Sequence, residues 1–113
     1  MEENKIYDTS AVIELLASRK LKFIPGAITI FTAIEYPPVI PKVSTIIYPS
    51  KKDYILAIKW QAKLRKYGRP LPAVDLLIAA IAFNNGFTLV TLDKHFEVIR
   101  KLEPRLNIVF KLL

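Results

Sequence analysis

Apolar residues in this chain come in short blocks that switch between two periods. Lys5 to Asp8, Ala27 to Ile30, Val43 to Tyr48, Phe87 to Thr91 and Leu106 to Phe110 are brief runs rich in β-branched and aromatic residues, as expected of buried strands. Longer segments lie between them. Thr9 to Ser18 carries Val12, Ile13, Leu15 and Leu16 at helical spacing, and Phe31 to Glu35 starts a second helix. Lys51 to Tyr67, Ala73 to Asn85 and Lys94 to Leu102 read as three more. Caps and breakers agree with these bounds. Asp8 or Thr9 caps the first helix and Ser50 the long one, while Gly68, Gly86 and Pro104 follow helix ends. Phe23-Ile24-Pro25-Gly26 is a turn signal, Pro37-Pro38 stops the second helix, and Pro41 is expected to keep the residues after it extended. Strands alternating with helices predict one α/β domain over residues 1–113, a central, mostly parallel sheet with helices on both faces.

Composition narrows the chemistry. The chain is 52% hydrophobic, enough for a folded core. It has no cysteine and one histidine, His95, so disulfides, thiol nucleophiles and Cys- or His-rich zinc sites are excluded. Metal chemistry would have to use oxygen ligands, which favours Mg²⁺ or Mn²⁺. No apolar run approaches the ~20 residues of a membrane span, and Met1-Glu2-Glu3-Asn4-Lys5 lacks the pattern of a signal peptide; a cytoplasmic protein with no membrane partner is expected. The 17 Lys and Arg against 10 Asp and Glu leave a formal charge of +7, which suits a polyanionic partner, most simply nucleic acid.

Four of the scarce acids stand beside apolar elements rather than on charged faces: Asp8, Glu35, Asp75 and Asp93. In parallel sheets ligands bind beyond the carboxyl ends of the strands, and Asp8 and Asp93 both follow strands. Each acid alone has a simpler reading. Asp8, Asp75 and Asp93 suit helix caps or first turns, and Glu35 suits a solvated helix. Together they form a cluster whose mutual repulsion a divalent cation would relieve, the arrangement used in metal-assisted phosphodiester hydrolysis.

The stretch Leu71-Pro72-Ala73-Val74-Asp75-Leu76-Leu77-Ile78-Ala79-Ala80-Ile81-Ala82, followed by Gly86-Phe87-Thr88-Leu89-Val90-Thr91-Leu92-Asp93-Lys94-His95-Phe96, resembles the C-terminal half of PIN-domain ribonucleases, in particular VapC-type toxins of toxin–antitoxin pairs. Tyr7-Asp8-Thr9-Ser10 is similar to the family's opening strand and Asp-Thr/Ser motif, and Glu35 to its helical glutamate. The resemblance implies a PIN-like fold and an Mg²⁺- or Mn²⁺-dependent endoribonuclease. It implies Asp8, Glu35, Asp75 and Asp93 as catalytic metal ligands, supported by the hydroxyls of Thr9, Ser10 and Thr91. RNA substrate and a cognate antitoxin are the implied partners. The chain departs from the family pattern in the short interval from Glu35 to Asp75 and in Pro37-Pro38, which cuts the helix after the glutamate. Two alternatives keep the fold: an RNA-processing nuclease outside a toxin pair, and a non-catalytic RNA-binding or scaffold module.

The long helix carries two apolar arcs beside a stripe of Lys52, Lys59, Lys63 and Lys66. One arc holds Tyr54, Ile55, Ile58 and Ala62, the other Leu56, Trp60, Leu64 and Tyr67. One must face the core. Two readings stand side by side: Leu56, Trp60, Leu64 and Tyr67 meet a partner, a second copy in a homodimer or an antitoxin, or a small domain simply wraps this helix more deeply. Lys59, Lys63 and Lys66, with Lys94 and His95 next to Asp93, are candidate phosphate contacts, although a solvated lysine face is the commoner meaning of such a stripe.

Overall fold

A computed structural model describes residues 4–112. Met1 to Glu3, read above for a leader pattern, lie outside the described residues. Five strands form one sheet in the order β3-β2-β1-β4-β5, with every pairing parallel: β1 Lys5–Tyr7, β2 Ala27–Thr29, β3 Thr45–Ile47, β4 Thr88–Val90 and β5 Ile108–Val109. All five expected strands are present, each shorter than its apolar run. The register sets Ile6 opposite Leu89 and Tyr7 opposite Val90.

Alternation along the strands divides the core in two. Ile6, Ala27, Leu89 and Ile108 point to the face covered by α3 (Lys51–Lys66), α4 (Ala73–Asn84) and α5 (Glu97–Leu102). Tyr7, Ile28 and Val90 point to the other face, where α1 (Thr9–Ile13) supplies Ala11 and Val12 and α2 (Ile30–Glu35) supplies Ala33. The α1 helix runs on into a wider π-turn over Glu14–Ser18. Helix α4 is apolar almost all round, and Leu76 to Ala82 are buried without a break, as befits a helix between the sheet and α3.

Two local expectations fail. Pro37 to Lys42 form a 3-10 helix with Pro41 inside it, and extended backbone resumes only at Val43. A proline's fixed φ is as compatible with a 3-10 turn as with an extended chain, and buried Val39 anchors this one to the core. The Trp60 arc is not a partner face. Trp60 and Leu64 are 3% and 1% exposed, Leu56 is half-buried, and of that arc only Tyr67 stands in solvent. The core-facing row is Asp53, Ala57, Trp60 and Leu64, and Trp60 meets Phe83 edge-to-face with ring centroids 6.0 Å apart. Tyr54, Ile55 and Ile58 are exposed instead.

Asp53 explains the choice. Its carboxylate accepts from Ser50 N at 2.8 Å in a capping box, and from Asn84 Nδ2 at 2.7 Å. That ties the start of α3 to the end of α4 and sets which side of α3 turns inward. No helix among the described residues is long and apolar enough to cross a membrane.

Candidate active site

The parallel sheet brings the ends of β1 and β4 side by side, and the four acids arrive there from four elements. Asp8 leaves β1 and caps α1: its Oδ1 accepts from Ala11 N at 3.0 Å and from the Ser10 hydroxyl at 2.7 Å. Its Oδ2 accepts from the Thr91 hydroxyl, and its backbone N donates to Val90 O at 3.1 Å. Thr91, just past β4, is fully buried and accepts from Asp93 N at 3.0 Å. The Ser10 hydroxyl accepts from Leu92 N at 3.0 Å. Each hydroxyl is thus both donor and acceptor, and together they join the two strand ends through one carboxylate.

Asp93 caps the 3-10 turn Lys94–Phe96, accepting from His95 N at 3.1 Å. Asp75 lies in the first turn of α4. Glu35 is the last residue of α2, exposed, and accepts from the Thr9 hydroxyl. Thr9 Oγ1 also lies 3.1 Å from buried Thr32 Oγ1. Thr32 was not singled out from sequence; its signal is the spacing of three residues to Glu35, which puts both on one helix face.

Asp8 and Asp93 are both caps, as the simpler reading of each expects. Burial pushes the Asp8 carboxyl above its ordinary pKa; hydrogen bonds from Thr91, Ser10 and Ala11 pull it back, and the charge of Asp75 adds to the rise. Burial likewise raises Asp75, His95 opposes the rise, and the charges of Asp93 and Glu35 reinforce it. Asp75 therefore feels Asp93 and Glu35, and Asp8 feels Asp75, the electrostatic sign of neighbouring acids.

His95 stands between two of them. Its Nε2 is 2.7 Å from Asp75 Oδ2 and its Nδ1 is 2.7 Å from Asp93 Oδ1, with the ring stacked on Phe96 at 5.2 Å between centroids. When protonated, the imidazole donates from both nitrogens and places positive charge between these two carboxylates. Lys94 turns elsewhere, its ammonium 5.9 Å from the centroid of the Phe110 ring. Lys59, Lys63 and Lys66 are exposed along α3.

The donor chemistry fits a hard divalent cation: four carboxylates, flanking hydroxyls and no sulfur. The fit rests on this oxygen set and on the mutual repulsion of the acids, which such an ion would relieve. Among the described residues no three acid, cysteine or histidine side chains already stand close enough to enclose an ion.

Comparison with known proteins agrees with this architecture. Residues 41–102 match the profile of the PIN domain; the match contains Asp75 and Asp93, while Asp8 and Glu35 precede it. None of the curated proteins matches the chain. Among solved structures, VapBC-1 from nontypeable Haemophilus influenzae is 24% identical with a TM-score of 0.69, covering 93% of this chain and 96% of that one. DNA-bound VapBC from Salmonella typhimurium is 18% identical with a TM-score of 0.70 over the same shares. VapBC2 from Rickettsia felis, bound to a DNA fragment from its promoter, is 21% identical with a TM-score of 0.63, again over 93% and 96%. At these identities the structures establish likeness of fold, and the profile match spans more than half of the chain: the chain belongs to the PIN domain family.

Proposed function

We propose that this protein is a metal-dependent endoribonuclease and the toxin of a toxin–antitoxin pair. The observation that carries the reading is the convergence of Asp8, Glu35, Asp75 and Asp93 toward the carboxyl edge of a parallel sheet, where the charges of Asp93 and Glu35 act on Asp75 and that of Asp75 acts on Asp8. Asp8, Glu35, Asp75 and Asp93 would hold Mg²⁺ or Mn²⁺. When bound, such an ion polarises a phosphate and makes water a stronger nucleophile. Thr91, Ser10 and the Ala11 amide fix Asp8 in one rotamer, so the carboxylate needs little rearrangement to act. Thr9 steadies Glu35 at the open side of the cluster. The net charge of +7 favours a polyanionic substrate.

The toxin assignment is supported by fold neighbours that are themselves toxin–antitoxin complexes, including one from Klebsiella pneumoniae that is 21% identical. An antitoxin segment would inhibit most simply by covering the acids or placing a basic side chain among them.

The test is cleavage of a mixed RNA pool with and without Mg²⁺ or Mn²⁺, comparing the native protein with Asp8→Asn and Asp93→Asn. Cuts that need metal and vanish in both variants are the expected result. Equal behaviour of all three folded proteins overturns the nuclease reading and favours a non-catalytic RNA-binding module.

A further inference from the structure

A second charged surface lies outside the acidic cluster, where the end of α3 meets α5. Two adjoining depressions of about 500 and 370 Å³ share Tyr67, Lys101 and Leu102. Lys63 and Lys66 line the first, and Arg69 lines the second. Among the described residues no acidic one lines either depression. Leu64, Val98 and Leu102 contribute apolar surface to the second depression, and Tyr67 is 72% exposed.

These cations are uncommitted, unlike several elsewhere. Arg100 pairs with Glu97, Arg105 with Glu103, and Arg105 also stacks on Phe83. Among the described residues Lys63, Lys66, Arg69 and Lys101 form no ion pair. The dipole at the end of α3 accounts for Lys63 and Lys66. It does not account for Arg69, beyond the helix, or for Lys101, which faces them from α5. Four like charges around two adjoining depressions repel one another, which favours a ligand that neutralises them.

We propose that this surface is a second RNA site, binding the phosphate backbone of a single strand with a base stacked on Tyr67. Cations on both rims of a groove and an exposed aromatic ring are the combination by which single strands are held without sequence readout; an acidic peptide would use the lysines but not the ring. Arg69 precedes Asp75 by six residues, which keeps the Cα atoms of these two residues within roughly 22 Å of each other. A strand bound here would be held close to the acids. That last role rests on the nuclease reading, whereas the binding itself does not.

The experiment is a titration of a fluorescein-labelled twelve-nucleotide RNA with the full chain in EDTA, read by anisotropy at several salt concentrations. Lys66→Glu and Lys101→Glu are each expected to weaken binding at least 5-fold, and each lost phosphate contact to lower the salt slope by about 0.7. Lys22→Glu, the same charge change at an exposed loop position, should cost less than 2-fold. Tyr67→Ala should weaken binding 5-fold or more and Tyr67→Phe should restore it, since stacking needs only the ring. Circular dichroism and thermal melting establish that each variant is folded.

The proposal is overturned if Lys22→Glu costs as much as the site variants, which would reduce the effect to net charge. It is also overturned if Tyr67→Ala binds as the native protein does. RNA that does not bind, together with an Asp/Glu-rich peptide that binds through the same lysines, overturns it in favour of a protein partner. Failure of the nuclease reading shows separately, as Asp8→Asn and Asp93→Asn proteins that cleave no less than native, and leaves the titration result standing.

Discussion

The Nε2 of His95 lies 2.7 Å from Asp75 Oδ2, so the turn after β4 and the first turn of α4 are joined by a single side chain. The same ring reaches Asp93 through Nδ1, which sets His95 between two of the four acids. Both of its effects on Asp75, a hydrogen bond and a positive charge, favour the carboxylate and oppose the rise caused by burial. Replacing His95 with Ala should therefore move the Asp75 titration further above its ordinary value. Carboxyl ¹³C chemical shifts followed against pH measure this directly. An unchanged Asp75 midpoint would mean that the contact is not made in solution.

Little of this relationship was legible in the sequence, whereas much around it was. The strands, the helices and the parallel arrangement follow from local signals: β-branched runs, Ser50 and Asp8 as caps, and Gly68 and Gly86 at positive φ after their helices. The four acids could be placed because their elements could. His95 on Asp75 needs the end of β4 beside the start of α4, a non-local fact that spacing does not carry. The inward arc of α3 failed for a related reason. Its two arcs are similarly apolar, so periodicity alone leaves two solutions, and the deciding contact, Asp53 on Asn84, spans 31 residues.

Asp8 should trade stability for function. Its folded-state pKa is raised, chiefly by burial, so folding disfavours the charged form. The cost is present at neutral pH and fades as pH falls through the raised value toward the ordinary one, where the group is protonated in both states. Asp8→Asn should accordingly melt higher than the native protein at pH 7.5, with the gap closing on acidification. Cleavage should fall on the order of 100-fold or more, as when one preorganised electrostatic group is removed from a site. Thermal melts across pH, run beside the RNA assay, test both halves. A variant that melts lower at pH 7.5 would show that the hydrogen bonds from Thr91 and Ser10 outweigh burial.

The two arcs of α3 can be told apart by truncation. Trp60 is buried against α4 and Phe83, so Trp60→Ala should cost about 3–5 kcal/mol of folding stability. Ile58 is 68% exposed, and Ile58→Ala should stay within about 0.5 kcal/mol. Urea denaturation at matched protein concentration measures both. A large loss at Ile58 with little at Trp60 would reverse the orientation of the helix.

Gly26 marks where the chain enters β2 beside β1. A Cβ there would come within 2.7 Å of Lys5 O and 2.9 Å of Tyr7 Cε1. The backbone oxygen belongs to a strand paired on both sides and has little room to move. The Tyr7 ring is buried beneath Ile28 and Val90 in the second core. Gly26→Ala must therefore displace β2 or turn Tyr7 off its rotamer, and the expected cost is about 1–3 kcal/mol, typical of overpacking. Because β1 leads directly into Asp8, the strain should reach the site: in the folded fraction the Asp8 titration should shift along with the loss of stability. Denaturation gives the first quantity and carboxyl ¹³C shifts the second. Native stability in Gly26→Ala would mean that β1 and β2 are farther apart than the sheet register places them.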